Sequence, residues 1–176
     1  METRFTPSMT VKLGTYPDNA ALQQAVAANG DILWPGLIEI LDKIEIASEP
    51  TEVKIAIVTE AELGFPDGAD PKVVFDKAFS LGLEELSGEA GLQMRLQQPG
   101  YPANYQTNPP ADWTTGVPYV DRETIHIAMR PVTSSDHIKY ALAVRRIRDK
   151  HFLARVPSGW GAGYTWAFGI KQLNHP

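Results

Sequence analysis

The sequence predicts a single α+β domain in which N-terminal helices pack on one face of a mostly antiparallel sheet of five or six strands. Helical spacing of apolar residues dominates the first half of the chain, whereas strand-like alternation dominates the second half. Residues 51–83 indicate a strand, a turn and a helix, which together form half of a sheet-plus-helix core. The chain has 176 residues, of which 43% are hydrophobic, enough for one well-buried core, so we expect one domain over 1–176.

The chain begins with a predicted edge strand over 9–13 and two helices. Pro17-Asp18-Asn19 is typical of a helix entry, and we expect a helix over 20–28 that stops at Asn29-Gly30. The second helix is indicated by apolar residues at helical spacing, namely Trp34, Leu37, Ile38 and Leu41.

The unit over 51–83 begins with a strand in which Val53, Ile55 and Ile57 alternate with other residues. Asp70 fits the residue before a helix, and Pro71 fits the first helical position, where its missing N–H costs nothing. Gly82 can adopt the left-handed conformation that ends a helix.

Residues 84–119 are interpreted as a strand followed by an insertion loop. Apolar and polar residues alternate over 92–97, which predicts a half-exposed strand with Gln93 and Arg95 on its outer face. The prolines of 99–119 exclude a helix, and a loop of this length is often functional. Because the loop carries four aromatic residues, Tyr101, Tyr105, Trp113 and Tyr119, we expect it to be ordered and to lie over another part of the protein.

Further strands are predicted over 123–132, 138–145, 152–156 and 164–170. His126, Arg130 and Arg145 are expected on an outward face of these strands, beside Arg95 if the strands are neighbours. The basic residues are concentrated here, although the net charge of the chain is −5. Such a face would suit an anionic partner.

Composition and motifs exclude several kinds of chemistry. The chain has no cysteine, so disulfides, thiolate metal sites and cysteine nucleophiles are excluded. Neither G-x-S-x-G nor G-x-x-x-x-G-K-[ST] occurs, and the histidines lack the spacing of zinc sites. We therefore expect no metal and no cofactor. Because the sequence shows no apolar run of membrane-span length and no signal-peptide pattern, we expect a cytoplasmic protein without a membrane partner.

Short patterns spread over the chain are similar to those of a group of small bacterial and metagenomic proteins with no assigned activity. They are Leu13-Gly14-Thr15, Glu62-Leu63-Gly64-Phe65, Leu81-Gly82-Leu83, Gln93-Met94-Arg95-Leu96, Met129-Arg130-Pro131-Val132 and Ser135-Asp136. Against that group, residues 99–119 resemble an insertion. The resemblance implies a stand-alone bacterial domain and supplies no catalytic residue.

Three functional hypotheses follow. The preferred one is a non-catalytic binding or interaction module that recognises a protein or a small anionic ligand through the 99–119 loop and the sheet face. The first alternative is a hydrolase in which two carboxylates among Glu62, Glu84 and Glu89 converge. The second is an anion or nucleic-acid binder that uses Arg95, His126, Arg130 and Arg145. Nucleic acid is disfavoured because the net charge is negative and the strand aromatics are expected to point inward.

Overall fold

The computed structural model describes residues 5–33, 36–101, 124–147, 150–157 and 164–171. Within these ranges the helices are α1 (Asn19–Ala28), α2 (Leu37–Leu41), α3 (Pro71–Ser80) and α4 (Gly88–Gln97). The strands are β1 (Met9–Leu13), β2 (Ile32–Leu33), β3 (Thr51–Thr59), β4 (Leu83–Glu84), β5 (Thr124–Ile127), β6 (Val132–Thr133), β7 (Lys139–Ile147), β8 (Lys150–Pro157) and β9 (Thr165–Ile170). The predicted start of α3 is confirmed, since Oδ1 of Asp70 accepts a hydrogen bond from the Lys72 amide at 2.8 Å.

All nine strands of the described ranges belong to one mixed sheet that curls into a half-barrel. Its main order is β1-β3-β9-β5-β7-β8-β2, with β4 paired to β9 and β6 paired to β7. β5 runs parallel to β9, and β2 runs parallel to β8. The prediction of a five- to six-stranded antiparallel sheet is therefore wrong. Strands of two residues, as in β2, β4 and β6, are too short to show a period in the sequence.

Helices cover both faces of the sheet, not one face as predicted. In β3, Ile55 belongs to a first apolar core with residues of α1, α2 and α4, whereas Ala56 belongs to a second core. The helix α3 contributes Val74 and Ala78 to this second core. The apolar stripe of α3 predicts that the helix packs on the sheet, but it does not determine the face, which depends on long-range packing.

The strand predicted over 92–97 is also wrong, because these residues lie in α4. Every residue from Gly88 to Arg95 is buried, so the helix lacks the single apolar stripe by which an amphipathic helix is recognised. Glycine allows the neighbouring side chains to approach closely. A Cβ atom added at Gly88 would lie 2.8 Å from the side chain of Ile44, and one added at Gly91 would lie 2.9 Å from that of Ile127.

Candidate functional site

A recess lies between α3 and the sheet, and we call it the groove. Its lining joins residues of the second core, such as Trp166, to residues of the first core, such as Met129 and Ala141. It has a volume of about 310 Å³. Its lining includes Phe75 and Phe79 from α3, Tyr164 and Trp166 at β9, and Ala141 and Val156 from β7 and β8. Small-molecule sites in proteins usually have volumes of about 300–1,000 Å³ and mostly apolar walls, so the groove lies at the small end of that class.

Small side chains in the sheet create the groove. The strand register places Trp166, His126, Ala143 and Ala154 in one row across β9, β5, β7 and β8. Two residues further along β7 and β8, Ala141 pairs with Val156, and both line the groove. The helix α3 packs on β9 through Phe75, whose ring contacts those of Trp166 and Phe168. A space therefore remains above Ala141, where a larger side chain would fill the face.

The position of Trp166 in the wall of the groove is fixed by a buried carboxylate. Its Nε1 donates a hydrogen bond to Oε1 of Glu60 at 3.1 Å, and Glu60 is fully buried. The amide of Glu60 also donates to the carbonyl of Tyr164 at 3.0 Å. Burial, and secondarily the electrostatic effect of Glu60, raises the pKa of the Tyr164 phenol. Trp166 is therefore held in the wall through its indole N–H.

Charged side chains lie at the rim of the groove. On α3, Nζ of Lys72 is 2.7 Å from Oδ2 of Asp76. A second, polar cleft of about 430 Å³ adjoins the groove and shares Glu85 with it. Its charged lining consists of Lys43, Glu45, Glu85 and Arg130. Two of these side chains are basic and two are acidic, so their formal charges cancel.

The three predicted catalytic carboxylates serve different parts of the fold. Glu89 is buried, and its two oxygens accept hydrogen bonds from the amides of Gly14 at 2.7 Å and Ala47 at 2.8 Å. Glu62 accepts from the amide and hydroxyl of Thr59 at 2.7 and 2.8 Å, which closes the turn after β3. Glu84 is exposed on β4. These separate positions do not provide the facing pair of carboxylates that glycosidase-type hydrolysis uses.

Arg95, predicted on the outer face of a strand, lies in α4 with 1% of its surface exposed. Its Nε donates to Oδ1 of Asp31 at 2.7 Å, and Asp31 is also buried. The Nη1 atom donates to the carbonyls of Gln98, Pro99 and Tyr101. The carboxylate of Asp31 compensates the charge of the guanidinium, and the carbonyl contacts hold the end of α4. Arg95 is therefore not available to an external anion.

The other members of the predicted basic face are dispersed. His126 is 6% exposed, and its ring lies 4.1 Å from that of Tyr164 beside the groove. Arg130 is exposed at the polar cleft, whereas Arg145 is half-buried on β7. The predicted face required an uncovered sheet surface, and α3 with the second core occupies part of that surface.

Of the four aromatic residues predicted to form a recognition loop, Tyr101 is described. It is half-buried against the first core, and burial raises the pKa of its phenol. Tyr105, Trp113 and Tyr119 lie outside the described residues. The role proposed for the 99–119 loop therefore stays a prediction.

From the sequence, His126 was identified as a candidate site residue, whereas the groove was not identified. Two signals in the sequence could have indicated the groove. Phe75 and Phe79 are one helical turn apart, and Ala141 and Ala143 occupy successive outward positions of a strand, where large or polar residues are usual. Alanines at such positions leave a depression in the surface of a sheet.

Comparison with known proteins leaves the function to be argued from geometry. No family model matches the chain, and neither the curated proteins nor the solved structures contain a significant match. Among the described residues, no three histidine, aspartate or glutamate side chains gather as a metal site. None of the described helices has both the length and the apolar character needed to cross a bilayer.

Proposed function

We propose that the protein is a non-catalytic binding module and that the groove receives an apolar group of a small organic ligand. The observation that supports this proposal is the preformed recess of about 310 Å³ with an apolar lining on the sheet face. Burying apolar surface there contributes about 25 cal/mol for each Å² removed from water. The 99–119 segment, which the structure describes only as far as Tyr101, stays a second and separate candidate for a recognition surface.

A binding role is favoured over hydrolysis because the lining that the structure describes is mainly apolar and its two acidic residues lie at the rim. Asp76 and Glu85 line it, but Asp76 pairs with Lys72 and both acids are exposed at the rim. Glu60 is buried behind Trp166 and accepts its indole hydrogen bond. These positions support apolar contacts inside the groove and polar contacts at its rim.

The proposal can be tested by titrating the intact protein with 8-anilinonaphthalene-1-sulfonate and following the fluorescence of the dye. The key variant is Phe79→Glu, which places a charge in the lining. Its matched control is Val73→Glu, because both residues are exposed apolar side chains of α3 (43% and 48%) and Val73 does not line the groove.

We expect the dye to bind the native protein with 1:1 stoichiometry. Phe79→Glu should weaken binding by about 10-fold or more, because burying a carboxylate against an apolar group is costly. Val73→Glu should leave binding unchanged. Absence of dye binding, or equal weakening by the two variants, would overturn the proposal, provided that cooperative urea unfolding shows both variants to be folded.

A further inference from the structure

The rings that line the groove determine which apolar group it prefers. We infer that the groove binds a planar aromatic group in preference to a saturated group with the same carbon skeleton. This inference rests on the proposed function and specifies the class of ligand.

Neighbouring rings of the wall meet nearly at right angles. The ring of Phe75 lies 5.8 Å from that of Phe79 and 5.4 Å from that of Trp166, at 75° and 89° respectively. Tyr164 and Trp166 meet at 82° with their centroids 5.8 Å apart. The wall therefore presents both ring edges, which are electropositive, and ring faces, which are electronegative. An incoming aromatic ring finds a complementary partner in either orientation, whereas a saturated ring has no such quadrupole.

The wall rings are accessible. Phe79 is 43% exposed, and Phe75 and Tyr164 are half-buried, so each retains surface for a ligand. The hydrogen bond from Trp166 to Glu60 fixes the ring behind them. Ring surface is therefore available for direct contact with a ligand ring.

The test compares 2-naphthol with decahydro-2-naphthol, which has the same carbon skeleton but no aromatic ring. Both are titrated into the intact protein, and the indole N–H signal of Trp166, assigned with Trp166→Phe, reports occupation of the groove by NMR. One favourable ring pair corresponds to a preference of about 2- to 12-fold beyond the effect of area. We expect 2-naphthol to bind more tightly by a factor in this range.

A variant pair separates ring chemistry from apolar volume. Phe79→Leu keeps an apolar side chain at an exposed position and should reduce the preference for 2-naphthol. Phe65→Leu removes a ring that packs on the second core away from the groove lining, and should leave the preference unchanged. Equal binding of the two probes, or an undiminished preference in Phe79→Leu, would overturn the inference alone. Binding of neither probe would overturn the proposed function as well.

Discussion

Gln97 on α4 closes the outer edge of β1 at Lys12. Its Oε1 accepts a hydrogen bond from the Lys12 amide at 2.9 Å, and its Nε2 donates to the Lys12 carbonyl at 2.7 Å. Because β1 is an edge strand paired on one side with β3, the side-chain amide takes the place of a neighbouring strand at this position. An edge closed in this way is less able to pair with a second chain.

Replacement of Gln97 by methionine should therefore destabilise the protein. We expect Gln97→Met to lower the free energy of unfolding by about 1–2 kcal/mol. The variant loses the two hydrogen bonds to Lys12 and a third to Oε1 of Gln93 at 2.8 Å, and each contributes at the low end of about 0.5–1.5 kcal/mol because Gln97 is exposed. Urea denaturation measures the change. The matched control is Gln24→Met on the exposed surface of α1. Equal stability of the two variants would refute a role for Gln97 at the edge.

Glu89 is expected to act as a structural acceptor. Glu89→Gln places an NH₂ group where one of two backbone amides now donates, so a buried donor loses its partner. The expected loss is about 1–3 kcal/mol of unfolding free energy. Glu84→Gln, at an exposed carboxylate of β4, should change the stability little. A Glu89→Gln protein as stable as wild type would contradict this assignment.

The buried pair of Arg95 and Asp31 predicts strong coupling between the two positions. Arg95→Met leaves a buried carboxylate without its cation and should cost about 3–5 kcal/mol. The double variant with Asp31→Leu removes both charges, and we expect it to be more stable than Arg95→Met alone. A thermodynamic cycle from urea denaturation measures the coupling. Additive losses would show that the two side chains do not depend on each other.

The stability of the turn between β6 and β7 is expected to depend on the ionisation of Asp136. The hydroxyl of Ser134, the amide of Ile138 and the hydroxyl of Tyr140 donate to its carboxylate and lower its pKa from 3.8 to about 2. A lowered pKa means that the charged form stabilises the folded state above the ordinary pKa. This stabilisation is lost as the pH falls through about 4 towards 2.

We therefore expect wild type to be more stable than Asp136→Asn at neutral pH and the difference to shrink below about pH 4. Stability measured against pH for both proteins, together with an NMR titration of the Asp136 carboxyl, checks this expectation. A difference that persists unchanged down to pH 2 would show that the lowered pKa does not contribute to stability.

Local elements could be predicted from the sequence, whereas the strand order and the sheet face on which each helix packs could not. The cap at Asp70 and the alternation of β3 involve neighbouring residues, so the sequence pattern contains them. The burial of α4 and the insertion of β9 between β3 and β5 depend on residues far apart in the chain. The groove depends on Ala141 being small next to a helix whose face the pattern does not determine. The sequence shows the individual residues of the groove, but it does not show that they come together in the fold.

The most direct test of the binding proposal is the set of intermolecular NOEs between the naphthalene protons of bound 8-anilinonaphthalene-1-sulfonate and the methyl groups of the protein. We predict NOEs to the methyls of Met129, Ala141 and Val156, which line the groove. NOEs confined to exposed methyls elsewhere, such as those of Ile138, would contradict the assignment of the groove as the binding site.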